Sequence, residues 1–196
     1  MNRRRNVAIL IFDEVEVLDF AGPFEVFAVT GRDQAPMPFH VYTVAETAGP
    51  ILARNQFSVN PRFTLVDAPT PDVLLVPGGW GTRAQMNNPV VIDWIRTTAA
   101  RAELVLSVCT GALLLAQAGL LNGLSATTHH AAIELLRSVA PRTNVLVGQR
   151  FVDNGKVVLS AGVSAGIDMS LHVVVRLLGR TEAEETARYI EYDWRP

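Results

Sequence analysis

Cys109 is the only cysteine in the chain, and it sits in the segment Ser107-Val-Cys-Thr-Gly111 between two apolar runs. A lone cysteine is by default a small buried hydrophobe. The spacing here, a small residue two before the cysteine and a glycine two after it, is the logic of a nucleophile elbow. Small flanking residues let the chain turn sharply, so the side chain is held out over a sheet edge in a strained, fixed position. A helix starting after the turn would aim its N-terminus at the sulfur. That predicts a thiol pKa below its reference value and a reactive thiolate.

Three other segments carry groups that suit such a thiolate. Pro77-Gly-Gly-Trp-Gly81 lets backbone approach a ligand, so the Gly79 or Trp80 amide, with that of Thr110, could form an oxyanion hole. Trp80 could instead wall a pocket or pack on the surface. Between Asp13 and Pro23, four acids fall within seven residues, and Asp19 is set apart by its apolar neighbours Leu18 and Phe20. It reads either as a helix cap or as a desolvated carboxyl facing the thiolate, kept protonated and able to donate. Thr127-Thr-His-His130 offers His129 as a base for cysteine, or as a cap or interior stack. His40 and His172 read as structural. No residue set has metal-ligand spacing, and no Gly-rich nucleotide loop is present.

These segments need a scaffold that brings them together. Asn6–Phe12, Asp72–Val76 and Glu103–Val108 are continuous apolar runs, the pattern of strands buried on both faces. Phe39–Val44 reads as a further strand, and Gly49–Phe63 as turns and short strands. A short helix is predicted over Pro23–Val29, with Pro near its first turn and Gly31 after its end. Others are predicted over Pro89–Arg96 capped by Asn88, Thr110–Ala118, Ala131–Val139, Ser164–Leu178 and Glu182–Tyr192. Ser125–Thr128 reads as extended. Phe151–Leu159 reads as a hairpin with a primed turn at Asn154-Gly155. Strands alternating with helices predict one α/β domain over residues 1–196, flavodoxin-like and doubly wound. Its mostly parallel sheet carries helices on both faces. Ligands bind such sheets beyond the carboxyl ends of the strands, which is where Cys109, Asp19 and Gly79 fall.

Composition narrows the class. In 196 residues, 49% are hydrophobic and 18% charged, with a net charge of −2. That is ordinary for a globular domain and gives no footprint for nucleic acid. Arg3-Arg4-Arg5 reads as a solvated end. One cysteine allows no internal disulfide, and no signal peptide or membrane-length apolar run appears. A cytoplasmic protein is expected.

Taken together, Leu18-Asp-Phe-Ala-Gly-Pro23, Pro77-Gly-Gly79, Ser107-Val-Cys-Thr-Gly-Ala112, Ala118-Gly-Leu-Leu121, Ala126-Thr-Thr-His129 and Ser160-Ala-Gly-Val-Ser-Ala-Gly-Ile-Asp168 resemble the ThiJ/PfpI superfamily, relatives of the class I glutamine amidotransferases. The resemblance spans roughly Val7–Tyr192. Within it, the elbow and Ala-Thr-Thr-His look like isocyanide hydratases and the ligand-binding half of AraC-type regulators. It implies a lyase that adds water to an isocyanide, with Cys109 as nucleophile, Asp19 as acid, Thr110 and Gly79 as orienting groups, no cofactor and no metal. A homodimer acting on a small molecule is expected, with no nucleic-acid or membrane partner. Protease-type members place His directly after the cysteine; Thr110 stands there instead. Hydratase-like members do not use the histidine at His129 as a base. Resembling proteins continue with a further segment where this chain closes at Glu191-Tyr-Asp-Trp-Arg-Pro196, so the substrate stays open and a stand-alone transcription factor is not expected. The alternatives are a redox or electrophile sensor at Cys109, a glyoxalase- or deglycase-like enzyme, and a non-catalytic ligand-binding module.

Overall fold

The computed structural model describes residues 3–195. From the N-terminus the chain runs through β1 (Arg5–Leu10), α1 (Val17–Val29), β2 (Phe39–Ala45), the ribbon β3 (Ile51–Ala53) and β4 (Phe57–Val59), then β5 (Phe63–Thr64) and β6 (Val73–Val76). There follow α2 (Thr82–Gln85), α3 (Pro89–Arg101), β7 (Leu104–Val108), α4 (Gly111–Gln117), β8 (Ser125–Ala126), α5 (Ile133–Val139), β9 (Asn144–Val145), β10 (Phe151–Asp153), β11 (Val157–Ser160), α6 (Ala165–Leu178) and α7 (Arg180–Tyr189). The main sheet has seven strands in the order β10-β11-β7-β6-β1-β2-β5, all parallel except β10.

The expected doubly wound α/β architecture is present. Every residue of β6, β7 and β11 is buried, as is β1 from Val7 onward. Strands covered on both faces have no polar side to show, which is why they read as unbroken apolar runs. Helices α1, α6 and α7 pack together, as do α3, α4 and α5. The chain leaves β1 toward β2 on one side and later returns to β6 on the other, so the strand order reverses between β1 and β6. That reversal opens a crevice beyond the strand ends.

Several elements hold as read. Asn88 caps α3, its side chain accepting from the Val90 and Val91 amides at 3.1 and 3.5 Å, although the helix runs on to Arg101. The helix read over Ser164–Leu178 buries Ala165, Met169, Leu171 and Val174 in the core. Of the basic residues read as a solvated end, Arg3 is exposed and paired with Asp72, whereas Arg5 opens β1 with its side chain largely covered and paired with Glu103.

Others need correction. Helix α1 starts at Val17, six residues before Pro23, which lies inside it. Glu16 holds the N-cap position without a side-chain cap. The first turn is anchored by tertiary contacts instead: Glu16 N–H donates to the Gly78 carbonyl at 3.0 Å, beside an antiparallel bridge between Val15 and Gly79. A proline at the seventh helical position lacks the N–H that would bond the Asp19 carbonyl, a loss this packing absorbs. The β10–β11 hairpin turns one residue later than read, at Gly155-Lys156 between Asn154 and Val157, where the Asn154 N–H donates to the Val157 carbonyl at 2.9 Å and closes it. Gly155, the first of the two central residues, has positive φ, 83°. The last helix runs Arg180–Tyr189, and Tyr192 lies beyond it with its hydroxyl on Asp168.

Candidate active site

Cys109 and Thr110 make the turn between β7 and α4. Cys109 has φ 56°, a conformation that costs a side-chain-bearing residue roughly 1–3 kcal/mol. The surroundings hold it there. Its N–H is shared between the carbonyls of Ser160 at 3.2 Å and Ala161 at 3.1 Å, and its own carbonyl accepts from Thr128 Oγ1 at 2.7 Å. Gly111 is required by close approach: a Cβ there would stand 2.1 Å from the Val76 carbonyl oxygen.

Asp19 comes to this turn from the first turn of α1 and is fully buried. One carboxyl oxygen, Oδ2, accepts from the Gly78 N–H at 3.0 Å. The other, Oδ1, is buried and has no partner at hydrogen-bonding geometry. The cap reading therefore fails, since the carboxyl turns away from its own helix end and toward the sulfur. Burial pushes its pKa up to about 7, and the Glu16 charge adds to this. The Gly78 N–H, the Cys109 thiol and the Val163 N–H pull the other way without winning.

The thiol differs from the expectation. It is pushed up to about 12, first by burial and then by the Asp19 charge beside it. Only 6% of Cys109 is exposed. The Thr110 N–H and hydroxyl favour the thiolate, but desolvation outweighs them. The helix whose dipole was to activate the sulfur is only seven residues long. The two acids thus form a coupled pair whose first proton leaves near neutrality. With one proton left, the pair exists as carboxylate with thiol or as carboxylic acid with thiolate, and only the second is nucleophilic.

This burial has a consequence for stability. A carboxyl that holds its proton to about pH 7 in the folded state, against 3.8 ordinarily, stabilises the fold fully below pH 4. The contribution is lost as pH rises to about 7, and the shift is worth about 4 kcal/mol. We expect Asp19→Asn to match the wild type in stability near pH 4 and to exceed it by several kcal/mol at about pH 8. Urea unfolding at the two pH values reads the difference.

Of the other residues singled out by sequence, Thr110 joins the site. Its Oγ1 accepts from the Gly79 N–H at 3.0 Å and from Thr82 Oγ1 at 3.2 Å. Its hydroxyl donates to the Gly79 carbonyl at 3.1 Å and also favours the Cys109 thiolate. Gly79 itself is engaged: its amide is spent on Thr110 and is not free for an oxyanion hole. Its φ of 119° and a would-be Cβ 2.4 Å from Glu14 O and Glu16 N explain the glycine. Trp80 is 65% exposed and stacks against the Arg83 guanidinium at 4.4 Å, so it closes no pocket in this chain. His129 makes no hydrogen bond to Cys109 among the described residues. Its Nδ1 accepts from the Ala131 N–H at 3.2 Å, and its ring lies on Gly162 and against His130. Burial lowers its pKa, so it sits as a neutral capping ring.

Sequence reasoning missed Gly78, the donor to Asp19. A Cβ on it would stand 2.5 Å from the Thr110 nitrogen and 2.9 Å from Asp19 Oδ2. It also missed Val163, with φ 53°, and Thr128. The run of small residues after β11 was the available signal for the first of these two. No helix is long and apolar enough to cross a membrane among the described residues.

Comparison with known proteins places this geometry. Residues 5–176 match the DJ-1/PfpI family. The chain is 36% identical over 186 residues to an isonitrile hydratase of Pseudomonas putida, across 95% of this chain and 78% of that protein. It is 29% identical over 170 residues to the HTH-type transcriptional regulator CdhR of Pseudomonas aeruginosa, across 87% of this chain but only half of the regulator. A crystal structure of a ThiJ/PfpI family protein from Pseudomonas syringae matches with a TM-score of 0.88 at 30% identity, covering 99% of this chain and 77% of that one.

Proposed function

The chain belongs to the DJ-1/PfpI family, and from that membership and the geometry of the elbow we propose that it is a cysteine-dependent isonitrile (isocyanide) hydratase converting R–N≡C and water to R–NH–CHO. The observation that carries the reading is the buried Asp19 carboxyl, with one oxygen unpartnered, set against a thiol on a strained elbow. The likeness to an isonitrile hydratase over 95% of the chain supports it.

The reaction starts from the pair carrying one proton, placed on Asp19. The Cys109 thiolate forms a bond to the terminal carbon of the isocyanide. Asp19 delivers its proton to the same carbon, leaving a carbon–nitrogen double bond. The net change is addition of the S–H across that carbon, giving the thioimidate R–N=CH–S–Cys. Water then adds to the carbon and a proton reaches nitrogen. The C–S bond breaks, the sulfur regains its proton within the pair, and the formamide leaves. A carboxyl titrating near neutrality suits both halves of this proton transfer. The Thr110 N–H, which favours the thiolate, stabilises it at attack and at departure. The same reading places the protein in the cytoplasm as a homodimer.

The test is incubation with an aryl isocyanide, following N-formamide by ultraviolet absorbance. Many equivalents of formamide per protein are expected. The likeness to a regulator favours a second reading, a module that binds a small ligand without converting it. Thermal stabilisation by the isocyanide with no product would select that one.

A further inference from the structure

The Cys109–Thr110 peptide is one rigid plane with the Cys109 carbonyl at one end and the Thr110 N–H at the other. Planarity and the trans geometry point the two in opposite directions, so whatever fixes the carbonyl also aims the amide. The carbonyl does not receive the bond an α-helix would supply, because the Leu113 N–H goes to the Thr110 carbonyl at 3.0 Å. Its partner is Thr128 Oγ1, at 2.7 Å, from a buried residue just beyond β8. The other end of the plane, the Thr110 N–H, is one of two groups, with the Thr110 hydroxyl, that favour the Cys109 thiolate. Gly78 leaves room for it, since a Cβ there would stand 2.5 Å from the Thr110 nitrogen.

We propose that Thr128 is a positioning residue for the nucleophile: through its hydrogen bond to the Cys109 carbonyl it holds the Cys109–Thr110 peptide plane so that the Thr110 N–H faces the sulfur. Thr128 touches neither the sulfur nor the acid by any hydrogen bond of its own. Without its hydroxyl the carbonyl is buried and unpaired, next to a residue already at positive φ. Rotation of the plane then relieves both and carries the amide away from the sulfur. The proposal rests on Cys109 being the nucleophile, but its test does not require that the substrate be an isonitrile.

Thr128→Val keeps the shape and removes the donor; Thr128→Ser keeps the donor. Thr127→Val is the control, since the Thr127 hydroxyl reaches only the Gln149 carbonyl at 3.4 Å. The readout is the pH profile of Cys109 alkylation by iodoacetamide, beside melting temperature, and beside kcat and KM for an aryl isocyanide. For Thr128→Val we expect the alkylation profile to move to higher pH and the rate at neutral pH to fall by about 10- to 100-fold. The fall in kcat should be similar, with KM within about twofold, as for a group acting only on the transition state. Thr128→Ser and Thr127→Val should keep the wild-type profile. If Thr128→Val does not fold, Thr128→Ala is read by the same criterion. A folded Thr128→Val or Thr128→Ala with the wild-type alkylation profile overturns the proposal, even if its melting temperature is lower. A serine variant that behaves like the valine one overturns it as well. Absence of isonitrile turnover in the wild type would sink the proposed substrate and leave the alkylation test of Thr128 standing.

Discussion

Cys109→Ala is expected to abolish isocyanide hydration while the protein stays folded, a loss of roughly 10⁴- to 10⁶-fold as for removal of other enzyme nucleophiles. The size follows from the mechanism, in which no other group forms the bond to carbon. His129 cannot substitute, being tied to the Ala131 amide and packed on Gly162. The fold survives because what holds the elbow is backbone. The Cys109 N–H bonds to Ser160 and Ala161, and its carbonyl bonds to Thr128, whatever the side chain. Loss of the small buried sulfur is worth only about 1 kcal/mol of apolar burial. An alanine variant that is folded and retains turnover within about tenfold of the wild type contradicts the covalent route.

Asp19→Asn is expected to separate two properties that usually fall together. The Asp19 charge is one of the causes that raise the thiol pKa. Its removal lowers that pKa, so iodoacetamide alkylation of Cys109 at neutral pH should become faster than in the wild type. Hydration should nevertheless fall by about 10²- to 10⁴-fold, because the amide has no proton to give to carbon. In the wild type, hydration should rise as the pH passes about 7, where the coupled pair loses its first proton. The levelling of that rise above about 7, set by Asp19, should be lost in the variant, whose remaining rate should follow the titration of the thiol alone. If alkylation slows instead, the Asp19 charge does not hold the thiol up, and the electrostatic account of the pair is wrong.

Much of the frame is legible from residue type alone. Val73–Val76 and Leu104–Val108 are read as strands because burial on both faces leaves no polar positions in them. Asn88 is read as a cap because its short side chain reaches the first amides of the helix. The start of α1 is not legible, since Glu16 caps nothing and the turn is held by Gly78 and Gly79, some sixty residues on in the sequence. The site divides the same way. Cys109, Asp19 and Thr110 can be picked out because the elbow spacing and an acid among apolar neighbours are local signals. The direction of the thiol shift cannot, because it depends on how much water reaches the sulfur. A helix start is visible in the sequence, whereas 6% exposure is not. Gly79 is drawn to the oxyanion role by its glycine, yet the amide that meets the acid belongs to Gly78. Thr128 lies 19 residues from Cys109 and bonds a main-chain carbonyl, a contact that leaves no mark on residue type.

The central claim, that Cys109 forms a covalent bond to the isocyanide carbon while Asp19 protonates it, is tested most directly by acid-quenched mass spectrometry during turnover. The account predicts a species heavier by one intact isocyanide, located on the peptide bearing Cys109. It should appear before formamide accumulates and decay as the substrate runs out. Formamide produced with no mass ever gained at Cys109, under conditions where a thioimidate survives the quench, would contradict it.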